Sequence, residues 1–265
     1  MPKFDHKTVW ITGASSGIGE ACAYLFAIEK ANIILTSSRV DVLSLTVKKC
    51  IELGADCKML PYDLSDVEGI PVLVDEAVKC FGGIDIVYLN AGISQRGLAG
   101  DTLFEVDKKI MDVNFFAPLL ITKLILPGML AKQNGTIAVT TSISGKFGFP
   151  LRSTYSASKH ALYGYFESLQ AEYYNQNIRV VMVCPGRVKT NISMNALESD
   201  GKRHELLDKG QNDGITATKA ARKIVNAIYH QKPEILVGGK ELIMVFIKRF
   251  FPGLTRILVR NVNPT

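Results

Sequence analysis

A tyrosine and a lysine four positions apart are the side chains of this sequence best suited to transfer a proton. Tyr155 and Lys159 would lie on one face of a helix, because side chains at i and i+4 are neighbours there. A phenol has a pKa of about 10 and is a poor acid–base catalyst at neutral pH, whereas a nearby ammonium favours the phenolate and lowers that pKa. Such pairs also arise by chance on helix surfaces, so the pair needs support from its surroundings.

A hydroxyl upstream of the pair gives that support. Ser142 directly follows Thr136–Thr141, a β-branched apolar run that predicts a buried strand. Ligands of an open parallel sheet bind at the carboxyl ends of its strands. We therefore expect Ser142, Tyr155 and Lys159 to converge at that edge, where a small-molecule substrate would bind.

The first predicted strand runs directly into a glycine-rich turn. Gly13, Gly17 and Gly19 lie between the apolar run Thr8–Thr12 and a predicted helix, Gly19–Glu29. Glycine lets the backbone approach a diphosphate, and the free N–H groups and the helix dipole stabilise its charge. Tight turns also use glycine for steric reasons alone, but the strand before this turn and the helix after it favour a dinucleotide site.

The end of the second predicted strand distinguishes between the two nicotinamide cofactors. An acidic residue there would bind the ribose 2′-hydroxyl and repel a 2′-phosphate, but this chain has Ser38 and Arg39 and no acid before Asp41. A hydroxyl and a guanidinium suit a phosphate, so NADP(H) is favoured and NAD(H) is the alternative. After the third strand, Asp63 and Leu64 are placed to meet the adenine, although an aspartate that starts a helix explains Asp63 equally well.

Short apolar runs rich in β-branched residues alternate with longer amphipathic stretches along the chain. This alternation is typical of an α/β protein whose parallel sheet is covered by helices on both faces. No linker or shift in composition divides the chain, so we expect one domain over residues 1–265. The predicted strands are Thr8–Thr12, Ile33–Thr36, Lys58–Tyr62, Ile84–Leu89, Thr136–Thr141, Ile178–Val183 and Glu234–Val237, and the predicted helices include Gly19–Glu29 and Asp66–Cys80.

The composition is that of an ordinary globular protein, with 47% hydrophobic and 21% charged residues and a net charge of +6. The sequence has no arginine-rich run with interleaved aromatics, which argues against nucleic acid, and no His or Cys spacing typical of a metal site. Five widely spaced cysteines predict reduced thiols and a cytoplasmic location. Residues 1–7 lack the apolar core of a signal peptide, and no uninterrupted apolar run reaches the roughly 20 residues of a membrane span.

In combination, the motifs resemble those of the short-chain dehydrogenase/reductase family. The matching motifs, in family order and spacing over about residues 5–240, are Thr12-Gly-x3-Gly17-x-Gly19, Asn90-Ala91-Gly92, Asn114, Ser142, Tyr155-x3-Lys159 and Pro185-Gly186. The resemblance implies a single Rossmann-type, doubly wound domain with a seven-stranded parallel sheet flanked by helices. Ser38 stands where NADP-preferring members often carry arginine. The segment Ser38–Val40 and the C-terminal extension, about residues 240–265, are similar to the retinoid- and steroid-type carbonyl reductases.

The resemblance also implies a role for each matching residue. Tyr155 would donate or accept the proton, Lys159 would lower its pKa and bind the nicotinamide ribose, and Ser142 would polarise the carbonyl. Asn114 would hold a water that links Lys159 to solvent. The implied cofactor-binding residues are Gly13, Ser15, Ser16, Gly17, Ile18, Gly19, Ser38, Arg39, Asp63, Leu64, Asn90, Ala91, Gly92, Tyr155, Lys159, Pro185, Gly186, Val188 and Thr190.

The function predicted on this basis is that of an NADP(H)-dependent oxidoreductase, which transfers a hydride between nicotinamide and a carbonyl or secondary alcohol. One alternative is a 3-oxoacyl thioester reductase, which would need a basic surface for an acidic carrier protein. The other is a non-catalytic dinucleotide sensor, which would not need the acid–base pair. The family usually assembles through two long helices, here around residues 102–132 and 153–175, so we expect a homodimer or homotetramer.

Three segments outside these motifs bear on substrate and partners. The polar stretch from about 190 to 214 predicts a mobile loop or lid, and the apolar stretch 242–247 predicts a cover for a pocket or a partner. Arg96, Lys146 and Arg152 are candidates to bind a substrate carboxylate, or are solvated loop charges. Basic residues between positions 248 and 260 could meet anionic lipid, although a helix with polar edges more often folds over its own domain.

Overall fold

The strand Thr8–Thr12 (β1) is buried along its whole length. Val9 and Ile11 pack into one hydrophobic cluster and Trp10 into another, because successive side chains of a strand point to opposite faces of the sheet. Both faces must therefore be covered, which explains why this run is apolar throughout. The structure is a computed structural model, and it describes residues 2–262.

The main sheet has seven strands, and each neighbouring pair is parallel. The strands after β1 are β2 (Asn32–Ser37), β3 (Cys57–Pro61), β4 (Ile86–Leu89), β5 (Gly135–Thr140), β6 (Ile178–Pro185) and β7 (Glu234–Val237). Their order across the sheet is β3-β2-β1-β4-β5-β6-β7, so the winding reverses between β1 and β4. The predicted doubly wound, seven-stranded parallel sheet is confirmed.

Helices cover both faces of this sheet. They are α1 (Gly17–Ile28), α2 (Val40–Glu52), α3 (Ile70–Phe81), α4 (Phe104–Met111), α5 (Ala117–Ala131), α6 (Ser153–Glu172), α7 (Lys209–Asn212), α8 (Ala217–Tyr229), α9 (Ile243–Phe250) and α10 (Pro252–Arg260). On one face, Phe26 of α1 and Ile224 of α8 share a buried cluster. On the other, Leu73 of α3, Ile121 of α5 and Phe166 of α6 share a second cluster. The layers therefore hold the sheet as a rigid platform whose strand ends are left for a site.

Local hydrogen bonds explain where the elements depart from the predicted bounds. The fourth strand begins at Ile86 rather than Ile84, and the Asp85 carboxylate before it accepts from the Thr8 N–H at 2.9 Å. Helix α3 begins at Ile70 rather than Asp66, because the Asp66 side chain accepts from the Gly69 N–H at 3.2 Å in a preceding turn. Strand β6 continues to Pro185 instead of ending at Val183.

A π-helical turn, Asp112–Phe116, joins α4 to α5 within the long helix predicted around residues 102–132. The combined helix Phe104–Ala131 is long and apolar enough to cross a bilayer on length and composition, since an 18-residue window within it has a mean hydropathy of 1.7. Its side chains Ile121, Ile125 and Met129 are instead buried in the cluster beneath the sheet. The helix is therefore packed as a core helix of the domain.

The predicted lid, about residues 190–214, and the apolar C-terminal stretch 242–247 both lie beside the strand ends. Within the predicted lid, Leu197–Glu198 pairs with Gln95–Arg96, and α7 follows. Helices α9 and α10 pack on each other, and Met244 and Val259 contact a small buried cluster beside β6. All five cysteines are free thiols.

Candidate active site

A cleft of about 520 Å³ opens at the carboxyl ends of the strands, where the sequence places its site. All but two of the predicted catalytic and cofactor-binding residues line it. The lining residues among them are Gly13, Ser15, Ser16, Gly17, Ile18, Ser38, Arg39, Asp63, Leu64, Asn90, Ala91, Gly92, Ser142, Tyr155, Lys159, Pro185, Gly186, Val188 and Thr190. The other two, Gly19 and Asn114, support the lining residues from behind.

The glycine turn after β1 has a shape that only glycine permits. Gly13 and Gly17 adopt φ of +66° and +63°, a region that other residues rarely enter. A Cβ on Gly19 would lie 2.4 Å from the Gly13 carbonyl oxygen, so Gly19 acts by letting the helix pack beneath the turn. The exposed backbone of this turn, followed by the N-terminus of α1, fits the diphosphate of a dinucleotide.

Asn90 joins this turn to the neighbouring strand β4. Its Nδ2 donates to the carbonyls of Thr12 and Gly13, both at 3.2 Å. In return, Thr12 Oγ1 accepts from the N–H groups of Asn90 and Ala91 at 3.1 and 3.2 Å. The predicted Asn-Ala-Gly motif therefore fixes the turn and lines the cleft at once.

Arg39 reaches back from the end of β2 to the glycine turn. Its Nη2 donates to Ser15 Oγ at 2.9 Å and to Ser16 Oγ at 2.5 Å. Ser37 Oγ, which sequence reasoning did not assign to the site, lies 2.8 Å from Ser15 Oγ. A guanidinium and several hydroxyls thus surround the position that a ribose phosphate would occupy.

Asp63 and Leu64 line the cleft as expected, in the part predicted to meet the adenine. The Asp63 carboxylate accepts from the N–H and hydroxyl of Ser65, at 3.0 and 2.9 Å. Asp63 therefore forms a local turn, which the sequence analysis gave as the alternative to adenine binding. Leu64 would then be the apolar contact with the adenine.

Tyr155 lies in the first turn of α6, with a buried side chain beside the carboxyl end of β5. Burial raises the pKa of its phenol, while a hydrogen bond with Ser142 and the charges of Arg152 and Arg96 act in the opposite direction. Ser142 is itself oriented, because its Oγ accepts from the Ser144 N–H at 3.1 Å. Ser142 and Tyr155 both line the cleft, and the roles predicted for them stay predictions.

Lys159 lies one turn further along α6 and is almost completely buried. Its Nζ donates to the Thr140 carbonyl at 2.8 Å and lies 5.9 Å from the centre of the Tyr155 ring. Burial lowers the pKa of Lys159 to about 7. The ammonium therefore loses its proton easily near neutral pH. Arg152 and Arg96 also act on the Tyr155 phenol, and the role implied for Lys159, of lowering the pKa of Tyr155 and binding the nicotinamide ribose, stays a prediction.

Asn114 sits in the π-helical turn and clips the loop after β4 to the rest of the site. Its Oδ1 accepts from the Ile93 N–H at 2.9 Å, and its Nδ2 donates to the Ile93 carbonyl and to Ser158 Oγ, both at 3.0 Å. A Cβ on Gly92 would lie 3.2 Å from Asn114 Oδ1 and 3.4 Å from Lys159 Nζ. The three residues are therefore neighbours, and the water relay implied for Asn114 stays a prediction.

The part of the cleft predicted to hold the nicotinamide is formed by the segment after β6. Pro185, Gly186, Val188 and Thr190 line it, and a Cβ on Gly17 would lie 2.9 Å from Thr190 Cγ2. This segment thus closes against the glycine turn. Glu241 holds it in place, because its Oε1 accepts from the Arg187 N–H at 2.6 Å and the Gly239 N–H at 2.9 Å.

Sequence reasoning missed a buried carboxylate, Asp208, which lies between two arginines in the cleft lining. Asp208 accepts from Arg96 Nη2 and from Arg152 Nη2, the latter at 3.0 Å. The side chains of Asp208 and Arg96 are only 6% and 3% exposed, so neither arginine is a solvated loop charge. Lys146 pairs with Glu234 at 2.9 Å and lies 3.5 Å over the Tyr163 ring, away from the cleft lining.

Asp208 belongs to the predicted lid segment, whereas Arg96 follows β4 and Arg152 precedes α6. One ion-paired group therefore ties three separate parts of the chain together beside Tyr155. Two guanidiniums and one carboxylate leave this wall with a net positive charge. Within residues 2–262, no group of three His, Cys, Asp or Glu side chains is placed to hold a metal ion.

Comparison with known proteins agrees with this geometry. A family model described as short chain dehydrogenase matches residues 7–201. Dehydrogenase/reductase SDR family member 7B of Mus musculus is 37% identical over 257 residues, 94% of this chain and 79% of that protein. Dehydrogenase/reductase SDR family protein 7-like of Anopheles gambiae is 39% identical over 237 residues, 88% of this chain and 75% of that protein.

Two solved structures share the fold. A short chain dehydrogenase/reductase from Burkholderia phymatum, in complex with NAD, has a TM-score of 0.83 at 22% identity and covers 100% of this chain and 99% of its own. A metagenomic short-chain oxidoreductase in complex with NADP has a TM-score of 0.73 at 24% identity and covers 89% of this chain and 98% of its own.

The Asp208 ion pairs lead to a stability prediction. Asp208→Asn should lower the free energy of unfolding by about 3 kcal/mol, because it removes the carboxylate that compensates the buried Arg96 guanidinium. Urea denaturation measures this. Asp200→Asn is the matched control, since it makes the same substitution in the same segment at an exposed pair with Lys202, where little change is expected. Equal effects of the two substitutions would contradict the buried ion-pair interpretation.

Proposed function

Because the chain belongs to the short-chain dehydrogenase family, we propose that it is an NADP(H)-dependent oxidoreductase that interconverts a carbonyl compound and a secondary alcohol. The observation that carries this proposal is that Ser142, Tyr155 and Lys159 line one cleft together with the glycine turn. When bound, a nicotinamide dinucleotide supplies or takes up the hydride.

The protein's own residues would handle the accompanying proton. Burial keeps Tyr155 protonated, as a general acid must be before it donates to a developing alkoxide. In the reverse direction the phenol must lose that proton, and the Ser142 hydrogen bond and the two arginine charges stabilise the resulting phenolate. Ser142, oriented by the Ser144 N–H, would donate to the substrate oxygen as its charge develops.

Lys159 would act as the next proton carrier. With a pKa of about 7, its amine exchanges protons readily near neutral pH. Gly92 and Asn114 lie beside its Nζ. The role implied for Asn114, of holding the water that leads to solvent, is retained in this proposal.

The preference for NADP(H) rests on Arg39. Its guanidinium stands at the end of β2 among the hydroxyls of Ser15 and Ser16, and Ser38 also lines the cleft. No carboxylate precedes Asp41 to repel a 2′-phosphate. The structural neighbours include one complex with NAD and one with NADP, so the preference depends on this chain's own residues.

A small-molecule carbonyl substrate is supported by a cleft lining that combines apolar side chains with the Arg96–Asp208–Arg152 group. A 3-oxoacyl thioester reductase is the alternative substrate class, and activity on carrier-linked but not free ketones would favour it. A non-catalytic sensor is disfavoured, because burying Lys159 costs solvation free energy that dinucleotide binding alone does not require.

The assembly and the compartment are carried forward as predictions. We infer a homodimer or homotetramer formed through the helices around residues 102–132 and 153–175, as the family resemblance implies. A cytoplasmic location is inferred from the free thiols.

The first prediction tests the acid–base role. Tyr155→Phe should lower kcat by about 10²–10⁴-fold, because it removes the transferable proton, while NADPH binding changes little. Carbonyl reduction and fluorescence titration of NADPH measure the two effects. Tyr62→Phe, which removes a phenol hydroxyl at the other end of the same cleft, should keep wild-type turnover. A Tyr155→Phe variant that reduced carbonyls at the wild-type rate would exclude this mechanism.

The second prediction concerns pH. Arg152 favours the Tyr155 phenolate, so Arg152→Gln should raise the pKa of Tyr155. Alcohol oxidation requires the phenolate, so its rate rises with pH through the pKa of Tyr155. In the variant, this rising limb of the pH–rate profile should therefore move to higher pH. The limb is measured from kcat/KM for alcohol oxidation. Lys109→Gln removes another cation of the cleft lining and should leave the limb in place; a shared shift would indicate a general charge effect.

The third prediction tests cofactor choice. Arg39→Ala should weaken NADPH binding about tenfold to a hundredfold, since a charge-assisted hydrogen bond is worth roughly 1.5–3 kcal/mol. NADH lacks the phosphate and should bind nearly unchanged; fluorescence titration measures both. Gly19→Ala, which would displace the turn, is the control that should weaken both cofactors. Equal losses for both in Arg39→Ala would mean that Arg39 supports the turn rather than the phosphate.

A further inference from the structure

We propose that α9 and α10 dock on the surface of an anionic lipid bilayer. The two helices present exposed large apolar side chains on the side away from the domain. We call these the outer face; they are Ile243, Phe246, Phe250, Phe251, Leu254 and Ile257.

The outer face is the second of two apolar sides on the same helices. Leu242, Met244, Val245 and Val259 already pack inward against the cluster beside β6. The outer side chains are not needed for that packing, and Phe250 and Phe251 are 66% and 64% exposed. Single exposed apolar residues are common, but a contiguous group on two packed helices marks a contact surface.

The charge around this face selects an anionic occupant. Residues 240–262 contain five Lys and Arg and one Glu, a net charge of +4 within a chain of +6. Glu241 is engaged with the N–H groups of Arg187 and Gly239. Across the described residues 2–262, no carboxylate lies within ion-pairing distance of the five basic side chains, which are Lys240, Lys248, Arg249, Arg256 and Arg260.

A second copy of the chain fits this surface poorly. A two-fold interface brings the same patch of both subunits together, and two patches of charge +4 would repel each other. Phenylalanine and leucine on one side of a helix, with lysine and arginine at its edges, is the pattern of helices that lie in the membrane interface. The apolar side chains would enter the headgroup region and the basic ones would contact lipid phosphates.

The position of this face relative to the cleft gives docking a consequence. Met244 of α9 and Val262, just beyond α10, both line the active-site cleft. The helices that carry the outer face therefore form part of the cleft wall with their inner side, and a docked molecule would hold that wall close to the bilayer. Docking itself depends only on the exposed side chains and charges, and so it does not depend on the proposed chemistry.

The experiment is sedimentation of the full chain with phosphatidylcholine vesicles, with and without phosphatidylserine. We expect binding to the phosphatidylserine vesicles, weakening as salt increases. Phe246→Ser with Phe250→Ser should reduce that binding at least about tenfold, because burial of apolar area drives insertion. Lys248→Ala and Arg249→Ala should each reduce it about fivefold.

Matched controls come from α2 at the other edge of the sheet. Leu45→Ser removes an apolar side chain that is 67% exposed, and Lys48→Ala removes an exposed cation; both variants should bind as wild type does. Tyr155→Phe should also bind as wild type, which separates docking from catalysis. Thermal melts verify that the Phe246→Ser, Phe250→Ser variant stays folded.

Several results would overturn the proposal. These are no binding to phosphatidylserine vesicles, equal binding to both vesicle types, or undiminished binding by the Phe246→Ser, Phe250→Ser variant. A lipid-free dimer that this variant converts to monomer, seen by light scattering, would assign the face to a second copy. Binding of an acidic acyl carrier protein without binding of vesicles would assign it to a carrier protein.

Discussion

The hydrogen bonds between Asn90 and the turn after β1 hold the two halves of the site in register. Four hydrogen bonds join neighbouring strands here, so the turn cannot move without leaving polar groups unpaired. The Ala14 N–H of the same turn donates to the Thr36 carbonyl at 3.2 Å, which ties the turn to β2 as well. The position of the dinucleotide relative to Tyr155 therefore follows from the pairing of β1, β4 and β5.

Positive charge is distributed along the whole cleft. Arg39 stands at one end, the buried Lys159 amine lies in the middle, and Arg96 with Arg152 lies at the other end. Each cation is held by oxygen atoms of the protein, which offsets part of the cost of burying it. Such a cleft suits a cofactor that carries several negative charges, and Arg96 and Arg152 oppose part of the rise that burial causes in the pKa of Tyr155.

Most of the fold and much of the site could be predicted because the signals are local. Strand β1, the glycine turn and the Tyr155–Lys159 spacing are each contained in one short stretch, and parallel strands bring their ends together without further information. The Arg96–Asp208–Arg152 group could not be predicted in this way. Its members come from three separate loops, and a loop arginine looks the same in sequence whether it is solvated or buried in an ion pair.

The bounds of individual elements were harder to predict for a similar reason. Asp85 and Asp66 look like ordinary continuations of their strand and helix, but their carboxylates accept backbone N–H groups and so displace the ends of β4 and α3. The π-helical turn was likewise hidden in a stretch whose pattern indicates one continuous helix. Its cause is the bonding of the Asn114 amide to Ile93, a contact between separate segments.

This π-helical turn makes the chain intolerant of a change in length at one point. A π turn contains an extra residue compared with an α turn, and here it lets Asn114 face the loop after β4 while Ile121, Ile125 and Met129 face the sheet. Deleting one residue between 112 and 116 would restore a regular α-helix, in which the flanking helices keep their orientation. Asn114 would then lose the position from which its amide bonds to Ile93. Insertions and deletions should therefore be absent from this turn in relatives that use the same site, however freely their surface loops vary.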